Sequence, residues 1–305
     1  MTDATMIGEP VVQVDGLSRR FRKKQALDGV SLTVPRGVVF GLVGENGAGK
    51  TTLVKHLLGT LRAQQGTVRV FGLDPCAHPV EVLSRIGYLS EDRDLPGWMR
   101  VRELMAYTQA FYPDWDPAYA EQLRARFHLD PDARIKQLSR GETAKMGLLT
   151  ALAYRPPLLL LDEPSSGLDP SARRDIVGAI VRTVADEGRT VIFSSHLLEE
   201  VERVADIVAM IHEGQCVFQG PLDEIKQRHH KFTLRLPEHV SSLPDLPGVL
   251  RAEGAGREWT VVCDGTAEAV RDAAHAQNIE VLEDGTPSLE EIFLARVAPY
   301  EEAAS

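Results

Sequence analysis

The sequence predicts an α/β fold built around a parallel sheet, and three stretches carry that expectation. An apolar run, Val38 to Val43, reads as a buried strand and leads into Gly44-Glu45-Asn46-Gly47-Ala48-Gly49-Lys50-Thr51. That octapeptide fits G-x-x-x-x-G-K-[ST], a glycine-rich turn between strand and helix whose amides make a concave site for phosphate oxygens. Further on, the strand Leu158 to Leu161, a helix from about Ser171 to Glu187 and the strand Thr190 to Phe193 follow in the order strand, helix, strand. Such an order implies parallel pairing with a helical crossover.

Taken in chain order, residues 11 to 43 read as short alternating strands with turns, among them Val11 to Val14 and Val30 to Val34. The helix that opens after the phosphate loop runs to about Leu58, closed by Gly59. From about Asp92 to Ser139 the pattern turns helical and polar, punctuated at Pro96-Gly97, Pro113-Asp114 and Asp130-Pro131, as expected of a helical insert riding on the core. Composition shifts again near Gln227 to Lys231. Strands at Phe232 to Leu236, Trp259 to Cys263 and Ile279 to Leu282, with helices at about Ala267 to Ala276 and Ser288 to Val297, read as a small α+β appendage.

At 305 residues the chain can bury one large core plus a satellite. Its 44 acidic against 34 basic residues, a net charge of −10, argue against broad binding to nucleic acid. The basic run Arg19, Arg20, Arg22, Lys23, Lys24 reads as a solvated edge near the nucleotide. Cys76, Cys216 and Cys263 form no C-x-x-C pair and read as reduced thiols. Met1 to Pro10 lacks the apolar core of a signal peptide, and no window approaches ~20 apolar residues, so a membrane role is expected to come through a partner.

The chemistry gathers around the phosphate. Lys50 can reach the β- and γ-phosphates and the Thr51 hydroxyl can complete the shell of a magnesium ion. The strand ending at Leu161 delivers two carboxylates, Asp162 and Glu163: one to orient Mg2+, its neighbour to polarise an attacking water. Leu138-Ser139-Arg140-Gly141-Glu142 opens a helix, placing a hydroxyl and amides at its positive end; read alone, it is an ordinary cap. His196 follows the strand ending at Phe193 and would point toward the γ-phosphate.

These segments, with Ser166-Gly167-Leu168-Asp169, fall in the order of the ATP-binding cassette (ABC) ATPases, and resemble that family's Walker A, signature, Walker B, D-loop and switch histidine. The resemblance covers about residues 10 to 225. Pro287 to Leu294 is similar to the C-terminal signature of ATPases serving ABC-2-type bacterial exporters, and Phe111 to Trp115 to one exporter-like subgroup.

The fold this implies is an α/β P-loop NTPase core with an antiparallel β subdomain and a helical insert (about 92–142) in residues 8–228. A small α+β domain would follow at 229–298. The resemblance also implies a head-to-tail dimer, either a homodimer or a heterodimer with a second ABC ATPase subunit. Phe21 would stack on adenine where the family more often has tyrosine. Lys50, Thr51, Thr52 and the loop amides of Gly44, Asn46, Gly47 and Gly49 would hold the phosphates of ATP. Thr51 and Asp162 would serve Mg2+, Glu163 would be the general base, and His196 would hold the γ-phosphate and water in line. Ser139 and Gly141 would reach the opposite site's γ-phosphate, with Asp169 at the dimer seam.

Two departures stand out. Glu91 occupies a position where the family often has Gln; a carboxylate is a good magnesium ligand but adds negative charge near the γ-phosphate. The signature reads L-S-R-G-E where L-S-G-G-Q is commonest. The function implied is the ATP-hydrolysing subunit of a membrane exporter, at the cytoplasmic face of the membrane, driving separate transmembrane permease subunits and binding no nucleic acid directly. Leu95 to Met99, with the apolar bulk of Trp98 and Met99, is the expected contact. Two rival readings stay open: a soluble ABC ATPase acting on nucleic acid, ribosomes or cluster assembly, and a regulatory binder that closes on ATP without efficient turnover.

Overall fold

In this computed structural model the described residues are 9–185, 187–238 and 243–297. The expectation for the first eight residues, and the outer limits 8 and 298 of the expected domains, lie outside them. The chain divides into two compact units that part between Gln219 and Gly220.

The centre of the first unit is a six-stranded sheet ordered β5-β6-β7-β3-β8-β9. Its strands are β3 (Val39–Val43), β5 (Ile86–Leu89), β6 (Leu158–Asp162), β7 (Thr190–Ser195), β8 (Ile207–His212) and β9 (Gln215–Pro221). The pairs β5–β6, β6–β7, β7–β3 and β3–β8 are parallel, as the strand–helix–strand order requires. Every residue of β3, β6 and β7 is buried, and each strand carries a continuous apolar stretch rather than an alternation, with polar residues at the ends of β6 and β7. The register sets Leu161 beside Phe193 and Asp162 beside Ser194, and thereby fixes the layout of the site.

An antiparallel sheet ordered β2-β1-β4 lies within the same unit, made of β1 (Val12–Phe21), β2 (Lys24–Val34) and β4 (Gln65–Val70). One apolar cluster joins it to the central sheet: Leu27, Val30 and Val70 pack with Phe40, Leu42, Leu160 and Ile192, and α1 (Lys50–Leu57) adds Leu53 and Leu57. α2 (Pro79–Leu83) precedes β5.

The expected insert is helical in part. α3 (Val101–Gln109) and α4 (Pro117–Arg126) form, and α5 (Arg140–Leu152) follows a single 3-10 turn at Ile135–Gln137. Asp116 starts α4 by accepting the Tyr119 N–H at 2.9 Å, with Pro117 in the first turn. Residues 92–100 form no helix: the Pro96-Gly97 turn interrupts them. Met99 there is buried, whereas Trp98 is 68% exposed, so only one of the two bulky residues offers apolar surface. α6 (Pro170–Ala185) crosses from β6 to β7, and α7 (Leu198–Val204) leads from β7 to β8.

The second unit opens with α8 (Leu222–Arg228). It contains an antiparallel sheet ordered β11-β12-β10-β13, from β10 (His229–Arg235), β11 (Val249–Ala255), β12 (Glu258–Asp264) and β13 (Glu280–Gly285). α9 (Ala267–Ala276) and α10 (Leu289–Val297) complete it. Phe232, Leu234, Val261, Val270 and Ala274 make a core of its own, so this is a separate α+β body.

Candidate functional site

The loop from β3 to α1 departs from ordinary backbone where side chains would intrude. Gly49, the residue before α1, sits at φ +119°, and a Cβ there would lie 2.5 Å from the Ala26 carbonyl oxygen. A Cβ on Gly44 would run into the Ile211 carbonyl. Having no side chain, Gly49 leaves the first amides of α1 without a side-chain cap, the arrangement that suits an anion at a helix N-terminus.

A cavity of about 410 Å³ opens at this point, lined by Phe21, Asn46, Gly47, Gly49, Lys50, Thr51, Thr52, Glu91 and Glu163, together with Lys24 and Ala26. Phe21, 41% exposed, offers its ring, and the Arg19 guanidinium lies 4.7 Å from the ring centroid. Lys24 places its ammonium 3.5 Å from the Gly47 carbonyl oxygen. The basic run thus includes one residue that faces the cavity.

Lys50 is buried and donates to the Gly44 carbonyl at 2.6 Å and the Glu45 carbonyl at 3.2 Å. Its Nζ is also 3.1 Å from Glu163 Oε1, an ion pair that lacks hydrogen-bond alignment and leaves that buried oxygen with acceptor capacity unused. Glu163 Oε2 meets His196 Nδ1 at 2.7 Å. The Glu163 backbone adopts φ +48°, a conformation a non-glycine residue holds only when its surroundings impose it. Those surroundings are on hand: the Glu163 N–H donates to Ser194 Oγ at 2.9 Å, and Ser194 Oγ–H donates to Asp162 Oδ1 at 2.7 Å. Burial first, then the charges of Asp162 and Asp92, push the Tyr88 phenol on β5 up to about 12.

Ser139, Gly141 and Asp169 do not line this cavity; nor do Gly44, Asp162 and His196, but hydrogen bonds through Lys50, Ser194 and Glu163 tie these last three to its wall. Ser139 caps α5: its Oγ accepts the Glu142 N–H at 3.2 Å and its own N–H donates to Glu142 Oε2 at 2.8 Å, a reciprocal capping box. Asp169 accepts the Ala172 and Ser171 N–H groups at 3.0 and 2.9 Å at the start of α6, and these bonds, Ala172's foremost, hold its carboxyl below the usual range. A Cβ on Gly141 would lie 2.8 Å from the Ala172 methyl and 3.4 Å from Asp169 Oδ2, so the two segments abut. Sequence reasoning missed Ser194, Lys24 and Arg93, whose guanidinium bonds the backbone that follows Glu163. Pairing of β6 with β7 would have flagged Ser194; for Arg93 the sequence carries no signal.

A family profile described as "ABC transporter" matches residues 27–166. The daunorubicin/doxorubicin resistance ATP-binding protein DrrA of Streptomyces peucetius is 34% identical, over 93% of this chain and 91% of its own length. The chain belongs to the ABC transporter ATP-binding proteins. It is an ABC ATPase, and ATP is its nucleotide. A second profile, "ATP-binding protein DrrA1-3-like, C-terminal domain", matches residues 220–297, the span of the second unit.

Among solved structures, an ATP-binding subunit of an ABC transporter superposes with a TM-score of 0.65 at 27% identity, covering 71% of this chain and 92% of the other. The dimeric structure of MJ0796, a bacterial ABC transporter cassette, gives 0.63 at 18% identity, covering 69% of this chain and 98% of that one, a likeness of fold. The α/β core with its antiparallel sheet is accordingly the fold of an ABC ATPase cassette.

Proposed function

We propose that this protein is the ATP-hydrolysing subunit of an ABC exporter, closing head-to-tail on ATP and passing that motion to separate transmembrane subunits at the cytoplasmic face of the membrane. The resemblance of the whole chain to a drug-resistance ATP-binding protein, second unit included, supports export over a soluble role. Among the described residues no helix is long and apolar enough to cross a membrane, and in this reading the path for the cargo belongs to the partner chains. Trp98 offers a contact to them.

The observation that carries the catalytic reading is Glu163 on the cavity wall, tied at one oxygen to Lys50 and at the other to His196. When ATP enters, the γ-phosphate competes for Lys50, which now spends its charge on Glu163 and two loop carbonyls. Release of Lys50 leaves Glu163 free to accept a proton from water aimed at the γ-phosphorus, while His196 steadies its other oxygen. Phe21 stacks on the base. Amides from Asn46 to Thr52 hold the phosphates, and Gly44 gives the loop its entry path.

The oxygen donors Thr51, Asp162 and Glu91 fit Mg2+, a hard cation that prefers hydroxyl, carboxylate and phosphate oxygens. Bound there with ATP, the ion would neutralise charge on the β- and γ-phosphates. Ser139 and Gly141, absent from the cavity of their own chain, are assigned to the nucleotide of a second subunit, with Asp169 at the seam.

Glu163→Gln tests the assignment. Turnover is expected to fall by about 10²- to 10⁴-fold, the usual worth of a positioned base, with ATP affinity preserved. Turnover within a few-fold of the parent would remove Glu163 from that role.

A further inference from the structure

Arg93 lies in the loop after β5, two residues beyond Glu91, and its own backbone is at φ +51°. Its Nη2 shares its two N–H groups among three carbonyls of one short segment: Ser166 at 2.9 Å, Pro164 at 3.1 Å and, at the long limit, Glu163 at 3.4 Å. The guanidinium is half-buried, and desolvation is the main influence lowering its pKa, with the charge of Glu91 opposing that and Arg140 adding to it.

The segment it grips connects the end of β6 to Asp169. Within that segment the Ser166 N–H returns to the Glu163 carbonyl at 3.2 Å, closing a turn on the residue whose φ is +48°. The Glu163 N–H is held from the other side by Ser194. Arg93 therefore supplies the second of two clamps on a strained peptide. A strained conformation persists only while its neighbours over-determine it, and here one of those neighbours is a charged side chain from the loop that also delivers Glu91 to the cavity.

We propose that Arg93 is a positioning residue for hydrolysis: it holds the Glu163 backbone so that the carboxylate faces the γ-phosphate, and couples that geometry to the Glu91 loop. This rests on the reading of Glu163 as the general base.

The test uses the full chain and three variants: Arg93→Met, which keeps length but removes the donors, Arg93→Lys, and Glu163→Gln. Steady-state ATP hydrolysis and ATP-driven dimerisation are measured for each, the latter also for Arg93→Met in the Glu163→Gln background. For Arg93→Met the expected result is a kcat lowered at least about 10-fold with KM within about twofold, the signature of an interaction needed for chemistry and not for binding. Arg93→Lys is expected to fall between it and the parent. ATP-driven dimerisation in the Glu163→Gln background should be unchanged by Arg93→Met.

An Arg93→Met kcat within twofold of the parent overturns the proposal, as does a KM effect without a kcat effect. Loss of ATP-driven dimerisation, or of the folded state in a melt, would make Arg93 a structural staple only and equally overturn it. If Glu163→Gln itself turns over normally, the base reading fails instead, and the two failures are told apart by that single variant.

Discussion

Replacing Gly49 with alanine isolates what the phosphate loop requires of its backbone. At φ +119° an L-residue is strained by about 1–3 kcal/mol, because Cβ crowds its own carbonyl neighbourhood. The added methyl would also lie 2.5 Å from the Ala26 carbonyl oxygen and 2.9 Å from Leu27 Cδ2, the first of these a rigid backbone atom. Overpacking of this kind typically costs a further ~1–3 kcal/mol. In a unit of this size each kcal/mol lowers Tm by roughly 2–4 °C, so the melt should fall by at least about 4 °C. Because the relief available to the loop is to swing its amides off the phosphates, ATP affinity should fall at least about 10-fold as well. Gly72→Ala is the control: φ is +78° but nothing lies within 4 Å, so it should show strain alone, about 1–2 kcal/mol, and no loss of ATP affinity. Differential scanning calorimetry with nucleotide titration reads both. A Gly49→Ala protein that melts and binds like the parent would refute the argument from steric closure.

Phe21→Ala should raise KM for ATP by roughly 2- to 12-fold with kcat unchanged, from ~0.5–1.5 kcal/mol of lost stacking; equal loss for the triphosphate moiety alone would contradict a base-stacking role. Trp98→Ala should shift Tm by less than about 2 °C, being exposed, whereas Met99→Ala should cost roughly 2–5 kcal/mol of core packing; the opposite order would invert the assignment of partner-facing and core residues. Acid should destabilise the second unit through His229, whose pKa is lowered by burial first and then by Arg296 and Arg228, with Ile225 and Asp264 opposing. Its Nδ1 faces the Ile225 carbonyl at 2.6 Å and its Nε2 lies 3.0 Å from Arg296 Nη2, so the neutral ring donates to one and accepts from the other. The unfolded chain takes up this proton near 6.5 and the folded chain at lower pH, so stability falls as pH drops through about 6.5. His56, similarly lowered by burial, adds the same sign in the first unit. Thermal melts from pH 8 to 5 should show the decline, reduced in His229→Gln; a rise in stability toward pH 5 would reverse the sign.

What the sequence made legible follows a physical rule. β3, β6 and β7 were readable because both faces are buried and each holds a continuous apolar run, Val39–Val43, Leu158–Leu161 and Val191–Phe193. β4 was not: Gln65, Gly66 and Thr67 are exposed and polar, and only Val68 and Val70 mark a buried face. β11 fails for the same reason, with Glu253, Gly254 and Ala255 exposed. β8 is apolar enough to read, but nothing local shows that it pairs with β3. Around the cavity, residues carried by one contiguous motif, Asn46 to Thr52, could be grouped from the sequence and do share one wall; partners supplied by pairing across the sheet, such as Ser194, or by a side chain reaching between loops, such as Arg93, could not. Ser139 and Asp169 look like helix caps because they are helix caps, and their proposed second role needs another subunit.

That second role is the heart of the account, and one measurement reaches it most directly. The Glu163→Gln protein, with ATP and Mg2+ present, should sediment at twice the mass of the nucleotide-free chain, and Ser139→Arg in the same background should return it to the single-chain mass. Single-chain sedimentation with ATP bound, together with full hydrolysis by the parent at the same dilution, would contradict the shared site.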